Sequence, residues 1–221
     1  MTHHGFVRVT QLILIRHGET PWNRERRMQG HVDTALSDTG RAQAAALASR
    51  LAATDFSGLY SSDLARARDT AHAIAELTGH AIVAERRLRE RAFGIFEGLT
   101  YHEIADRYPE AFARFEARDP DYVVPGGESA RAFWARCLGC LGEIGERHAG
   151  AAVVVVTHGL VLDAIYRAAH GLPHDQPRPV PLVNASINVF AYSAGTWQME
   201  SWGDVGHLDE ALVTRYEGRS R

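Results

Sequence analysis

The sequence predicts an α/β fold, a three-layer α/β/α sandwich around a mainly parallel mixed sheet, in a single domain over residues 1–221. Short apolar runs alternate along the chain with amphipathic segments, as is typical of a parallel sheet with helices on both faces. Two strand-like segments, 184–192 and 196–202, are joined by Ser193-Ala194-Gly195 and predict a closing hairpin. Four prolines predict an irregular segment over 173–181.

Four short runs of apolar, mostly branched side chains predict the parallel strands. The first covers residues 11–16, and the second ends at Leu59-Tyr60. A third is expected over 81–84. Four consecutive valines at 153–156 predict a strand that is buried on both faces and central in the sheet.

Polar capping residues and apolar side chains at helical spacing predict the helices between the strands. Ser37 and Ser62 are the expected N-caps of the first two helices, and Gly79 ends the second. Thr100-x-x-Glu103 is a capping box, and the helix that it opens is interrupted at Pro109. The predicted helices cover about 37–51, 62–77, 100–109, 109–118, 129–148 and 160–169.

Two of the strands end in a histidine that is followed by a glycine. The strand at 11–16 leads into Arg16-His17-Gly18, and the strand at 153–156 leads into Thr157-His158-Gly159. Ligands of open α/β sheets collect at the carboxyl ends of strands, so both imidazoles are expected to face one small anionic ligand. The glycines are expected to let the backbone approach that ligand. Either histidine alone would be read as structural, but the pair favours catalysis.

Five motifs, in this order, resemble those of the histidine phosphatase superfamily, the phosphoglycerate mutase-like proteins. They are LIRHGET at 14–20, SSDLARARDT at 61–70, LRERAFGIFEG at 88–98, PGGES at 125–129 and VTHG at 156–159. The resemblance extends from about residue 12 to about residue 208 and departs from the family pattern at Phe96, where tryptophan is more usual.

The resemblance implies a role for individual residues. His17 matches the histidine that is phosphorylated, and Glu90 matches the acid that protonates the leaving group and later activates water. The implied phosphate pocket consists of Arg16, Asn23, Arg66 and His158. Gln29 and Gly30, in the polar loop after the first motif, complete the predicted phosphate- and substrate-binding residues. Elementary chemistry agrees, because a neutral imidazole can attack phosphorus and two arginines match a phosphomonoester dianion.

Three residues have competing interpretations. Arg66 lies on a charge-rich helix, where most arginines are solvated. Glu90 has four arginine neighbours in the sequence, which indicate a surface ion-pair network and would lower its pKa unless burial outweighed them. These neighbours are Arg86, Arg87, Arg89 and Arg91. Trp22 either lines the substrate entrance or anchors a loop.

Phosphatase and mutase chemistry share a phosphohistidine. The resemblance leads us to expect a longer chain with an extra basic segment in a cofactor-dependent mutase, whereas residues 100–127 here contain three arginines against six carboxylates. We therefore expect a phosphomonoester hydrolase of the cofactor-independent branch, acting on a small phosphorylated metabolite. Phosphoglycerate mutase is the alternative. A non-catalytic phosphate-binding regulatory module and a metallohydrolase are further alternatives, which a turnover assay and chelators would test.

The composition limits the classes of partner and of chemistry that the protein can have. The net charge of −3 argues against nucleic-acid binding, and no apolar run approaches the ~20 residues that span a bilayer. The first eight residues lack the pattern of a signal peptide, so a cytoplasmic protein is expected. All 24 basic residues besides histidine are arginine, which excludes Schiff-base lysine chemistry. The oligomeric state, a homodimer included, is left open.

No metal or cofactor is predicted. Cys137 and Cys140 have Cys-x-x-Cys spacing, but they lie on an apolar helical stripe with Phe133 and Leu141, so core packing is the favoured interpretation. The sequence holds no second cysteine pair, and it has neither an H-E-x-x-H helix nor an acidic ligand pair.

Overall fold

The computed structural model describes residues 8–173, 175–177 and 180–214. Within these ranges the strands are β1 (Thr10–Arg16), β2 (Leu59–Ser61), β3 (Ile82–Ala84), β4 (Ala152–Thr157), β5 (Ile187–Ser193) and β6 (Thr196–Asp204). They form one sheet in the order β3-β2-β4-β1-β5-β6. The first four strands of this order pair in parallel, whereas β5 and β6 are antiparallel. The predicted α/β class with a mainly parallel mixed sheet is confirmed.

The helices of the described residues alternate with these strands. They are α1 (Pro21–Arg24), α2 (Asp38–Leu51), α3 (Ala65–Thr78), α4 (Tyr101–Arg107), α5 (Pro109–Glu116), α6 (Ala130–Arg147) and α7 (Gly159–His170). Single turns of 3₁₀ helix occur at Arg86–Leu88, Gly94–Phe96 and Glu210–Leu212. Ser37, Thr100 and Ser129 cap their helices with side-chain hydrogen bonds. A single domain over all 221 residues extends beyond the described part and stays a prediction.

Side chains of the central strands alternate between two apolar cores, as the two-residue period of a strand requires. Leu12 and Leu14 of β1 pack with α6 and α7, while Ile13 and Ile15 pack with α2 and α3. Cys137 and Cys140 are free, fully buried thiols of the first core, as the core-packing interpretation predicts. The sheet is thus covered on both faces, and only the strand ends are left to build a site.

The predicted start of α3 is wrong. Ser62 does not cap the helix, because its peptide N–H donates to the Val156 carbonyl and continues the pairing with β4. The helix begins at Ala65, whose N–H donates to the Asp33 carboxylate over 2.6 Å. Asp33 is 32 residues away in sequence, so a search for local capping residues cannot find it. The predicted stop is confirmed at Gly79, which has φ +73°.

The predicted start of the closing hairpin is also wrong. β5 begins at Ile187, and the preceding residues Asn184–Ser186 turn across the end of β1. Ala185 adopts φ +55° there, and its N–H donates to the Arg16 carbonyl over 3.0 Å. The segment expected to extend the hairpin instead closes the edge of the sheet from which His17 projects.

Within the described residues, the irregular stretch inside 173–181 contains neither helix nor strand. No helix in the described part of the chain is long and apolar enough to cross a membrane. The cytoplasmic location expected from the sequence stays a prediction.

Candidate active site

The parallel register of β1 and β4 brings the two histidines together. Arg16 lies opposite Thr157, so His17 and His158 leave the sheet at the same level on adjacent strands. Their ring centroids are 5.2 Å apart. The geometry therefore brings both strand ends to one place, as the strand order requires for a shared site.

The His17 ring is almost fully buried, and its surroundings define its protonation. Nδ1 lies 2.7 Å from the Gly18 carbonyl oxygen. A carbonyl can only accept, so Nδ1 carries the proton of the neutral ring and Nε2 keeps its lone pair. Burial, and then the charges of Arg66 and Arg16, hold the pKa of His17 well below its usual value. The ring is therefore neutral at physiological pH, as a nucleophile must be.

The cavity beside His17 has a volume of about 150 Å³ and is mostly polar. Seven of the eight predicted site residues line it, namely Arg16, His17, Asn23, Gln29, Gly30, Arg66 and Glu90. Arg27 and Phe93 also line it and were not predicted. His158 is fully buried and is not one of the lining residues, but its ring lies next to that of His17. Arg27 lies within the polar segment of residues 20–32, whose excess of arginine was the available sequence signal.

Two side-chain amides that line the cavity are held through their oxygen atoms. The Asn23 Oδ1 atom accepts from the N–H of Thr20 over 3.0 Å. The Gln29 Oε1 atom accepts from the hydroxyls of Thr20 and Thr34 over 3.1 and 2.8 Å. With both oxygens engaged, each amide has its NH₂ group left to donate into the cavity. The short helix α1 that carries Asn23 was predicted only as loop.

Arg66 is fully buried, so its interpretation as a solvated surface residue is wrong. Its guanidinium donates to the carbonyls of Val32 and Gly30 over 3.0 and 2.8 Å, and it lines the cavity. Burial lowers its pKa to about 10, which leaves it charged at neutral pH. The Arg16 guanidinium donates to the Leu182 carbonyl at the same end of the sheet. Two cations at one cavity, Arg66 fully buried and Arg16 partly buried, favour a dianionic ligand.

Two of the four arginine neighbours of Glu90 form ion pairs with other carboxylates. Arg89 pairs with Asp63 over 2.6 Å, while Arg87 pairs with Glu85 and Glu143. The surface ion-pair network therefore exists, but it does not contain Glu90.

The Glu90 carboxylate turns inward to the cavity. It accepts from the N–H groups of Arg91 and Leu160 over 2.9 and 3.2 Å. Burial raises its pKa against the opposing effects of these hydrogen bonds, Arg66 and Arg16. The arginine neighbours were expected to lower the pKa of Glu90 unless burial outweighed them, and burial has the larger effect. A raised pKa suits a general acid.

The predicted reason for the glycine of the first motif is wrong. A Cβ atom on Gly18 would lie 2.5 Å from the carbonyl oxygen of Gly40, at the start of α2. The missing side chain therefore makes room for the backbone of a helix rather than for a ligand. The Gly18 N–H donates to the Thr70 hydroxyl over 3.0 Å, which ties the first motif to α3.

Gly30 acts through its backbone. It adopts φ +53°, its carbonyl holds Arg66, and a Cβ atom there would overlap the Glu97 carboxylate. That carboxylate accepts from the N–H groups of His31, Val32 and Phe93 over 3.0, 3.1 and 2.8 Å. Glu97, a residue that sequence reasoning missed, thus holds the loop that positions Arg66.

We expect Gly30→Ala to impair the site far more than Gly79→Ala. Both glycines have left-handed backbones, so each substitution costs about 1–2 kcal/mol of stability. Only Gly30→Ala also displaces Glu97, and displacements of about 1 Å near the chemistry can slow turnover on the order of 10²-fold. Gly79 has nothing within 4 Å of its added Cβ. Thermal denaturation and phosphatase kinetics on both variants check this, and equal turnover would contradict the assigned role of Gly30.

Trp22 and residues 100–127 lie outside the cavity lining. The Trp22 ring packs over Gly98, where an added Cβ atom would lie 3.3 Å from it, so the loop-anchor interpretation is the better one. Residues 100–127, all of which the structure describes, contribute no lining residue. Among the described residues, no group of three or more metal-binding side chains is clustered.

Comparisons with known proteins agree with this geometry. Residues 12–205 match the histidine phosphatase superfamily (branch 1). Two Arabidopsis thaliana relatives, phosphoglycerate mutase-like protein 4 and metal-independent phosphoserine phosphatase, are each 41% identical over 90% of this chain, covering 87% and 84% of their own lengths.

Solved structures show the same fold. Bacillus stearothermophilus YhfR is 36% identical with a TM-score of 0.83, over 90% of this chain and 100% of its own. A mycobacterial glucosyl-3-phosphoglycerate phosphatase is 32% identical with a TM-score of 0.75, over 89% and 99%. With the motif residues gathered at one edge of the sheet and these matches along most of its length, the chain belongs to the histidine phosphatase superfamily.

Proposed function

We propose that this protein is a phosphomonoester hydrolase that works through a phosphohistidine at His17. The observation that carries the proposal is that the buried His17 imidazole and the Glu90 carboxyl group line one cavity together with two arginines. The lowered pKa of His17 and the raised pKa of Glu90 suit a nucleophile and a general acid. Arg16, Arg66 and the amide groups of Asn23 and Gln29 bind the phosphoryl oxygens. These groups stay in place while charge shifts during transfer.

The reaction has two steps. In the first, His17 Nε2 attacks phosphorus, the bond from phosphorus to the leaving oxygen breaks, and Glu90 gives its proton to that oxygen. In the second, the Glu90 carboxylate takes a proton from water as the water oxygen attacks phosphorus. The bond between phosphorus and nitrogen then breaks, which restores neutral His17 and a protonated Glu90 and releases inorganic phosphate.

Hydrolysis is favoured over mutase chemistry by the segment at 100–127. Its net charge is −3, and two of its three arginines are engaged away from the cavity. Arg114 stacks on Tyr122, and Arg118 donates to the Gln176 carbonyl. A mutase would have to hold a bisphosphate and keep water out, and the described residues of this segment offer no basic clamp at the cavity.

With 3-phosphoglycerate as substrate, free phosphate is expected to appear faster than 2-phosphoglycerate. The physical reason is the missing basic clamp, which leaves the phosphohistidine open to water. A coupled phosphate assay beside chromatography of the phosphoglycerates measures both products. Efficient isomerisation that depends on added 2,3-bisphosphoglycerate would establish the mutase instead.

The natural substrate is proposed only as a small phosphorylated metabolite. Relatives carry names that specify phosphoserine and glucosyl-3-phosphoglycerate, so both compounds belong in a screen of phosphomonoesters. The screen measures phosphate release by the purified protein with and without a chelator. Turnover of none of these compounds would favour a binding module, and loss of turnover with the chelator would favour a metallohydrolase.

A further inference from the structure

Ser62 is a fully buried residue that the proposed reaction does not use. It follows β2 directly, and its Oγ atom lies 2.8 Å from Nε2 of His158. It belongs to the second family motif, where the sequence suggested only a helix cap. Its contact with a histidine of the site indicates a role other than helix capping for this serine.

The direction of this hydrogen bond follows from where the serine proton can go. A buried hydroxyl without an acceptor for its proton loses stability. The other contact of Ser62 Oγ is with the N–H of Leu64 at 3.4 Å, and an N–H can only donate. Among the described residues, His158 Nε2 is therefore the acceptor within reach. Ser62 donates, and Nε2 receives with its lone pair.

The proton of His158 must then lie on the other nitrogen. Burial and the charges around the ring, Arg66 first, hold the pKa of His158 well below its usual value, so the ring is neutral and carries one proton. With Nε2 accepting, that proton is on Nδ1. This Nδ1 atom is buried and has no hydrogen-bond partner among the described residues. It belongs to a ring whose centroid lies 5.2 Å from that of His17.

We propose that Ser62 is a positioning residue that holds His158 in the Nδ1–H tautomer, so that this N–H donates to the phosphoryl group bound at His17. The proposal rests on the proposed function. In the opposite tautomer Nδ1 would present a lone pair, which repels the oxygens of a phosphate. The serine thus fixes which ring nitrogen of His158 carries the proton, and Nδ1–H becomes a permanent hydrogen-bond donor.

The experiment reads the tautomer by NMR of the protein with ¹⁵N-labelled histidine, whose ring nitrogens differ in shift according to whether they carry a proton. His158→Gln identifies the His158 signals. The wild type is expected to show a protonated Nδ1, and Ser62→Ala a mixture of tautomers. Binding of inorganic phosphate, followed in the same spectra, should weaken about 2–10-fold in Ser62→Ala, because only the fraction of protein in the Nδ1–H tautomer keeps the hydrogen bond.

Ser61→Ala is the matched control. Ser61 is equally buried, but its hydroxyl donates to the Ser62 carbonyl over 2.8 Å and does not contact His158. It is expected to lose stability like Ser62→Ala while it keeps the wild-type tautomer and phosphate affinity. Ser62→Thr has a hydroxyl at the same position, so it should show the wild-type tautomer and the wild-type phosphate affinity.

Two results would overturn the proposal. One is a wild-type His158 with its proton on Nε2, and the other is a Ser62→Ala protein with the tautomer unchanged. If Ser62→Ala does not fold, Ser62→Cys replaces it, and its weaker S–H donor should lower both the Nδ1–H fraction and the phosphate affinity. If Ser62→Cys left both the Nδ1–H fraction and the phosphate affinity unchanged, Ser62 would not position His158. The tautomer is read without substrate, so failure of the phosphatase screen and failure of this proposal are distinguishable.

Discussion

Replacing His17 by alanine is expected to lower turnover of phosphomonoesters by a factor on the order of 10⁴–10⁶, the loss typical of a removed nucleophile. The cavity would keep its arginines, so phosphate should still bind. The expected effect is large because no other imidazole lines the cavity among the described residues. His158 cannot replace His17, since its ring does not line the cavity and its Nε2 contacts Ser62.

Brief incubation of the wild type with ³²P-labelled substrate should leave an adduct that is stable in base and labile in acid. His17→Ala should form none. His80→Ala is the matched control, because His80 stacks on Phe56 and bonds its carbonyl far from the cavity. Retention of the adduct in His17→Ala would show that another residue is the nucleophile.

Replacing Glu90 by glutamine is expected to slow alkyl phosphates by about 10²–10⁴-fold and to slow p-nitrophenyl phosphate much less. A strongly basic alkoxide needs a proton as it leaves, whereas nitrophenolate leaves as a stable anion. Initial rates on both substrate classes give this ratio. Glu128→Gln is the control, since Glu128 accepts from the Ala92 N–H over 3.0 Å without lining the cavity. Glu128→Gln should change the initial rates on both substrate classes by the same factor.

The pH dependence gives a second measurement of Glu90. Activity should rise as the pH rises through the pKa of His17, because the neutral imidazole attacks, and this limb lies at low pH since that pKa is lowered. It should fall as the pH rises through the raised pKa of Glu90, because only the protonated carboxyl donates. Glu90→Gln should lose this basic limb. A retained limb with equal slowing of both substrate classes would indicate that Glu90 only positions phosphate.

Much of the site could be predicted because its residues sit in short, ordered motifs. Strand ends marked by His17 and His158 indicated the catalytic edge, and seven of the eight predicted residues line the cavity. Two of the elements that failed were decided by distant contacts. Asp33 bonds the start of α3 in place of Ser62, and Ala185 turns over the end of β1 where a strand was expected.

The sequence by itself determined the fold class, the family and the identity of the charged groups, since apolar period and motif order are local properties. The tertiary structure alone decided their chemical state. Glu90 stays protonated to higher pH because burial outweighs the charges of Arg66 and Arg16, and His158 donates through Nδ1 because Ser62 occupies Nε2. Protonation depends on solvent access and on neighbours in space, and neither can be read from position along the chain.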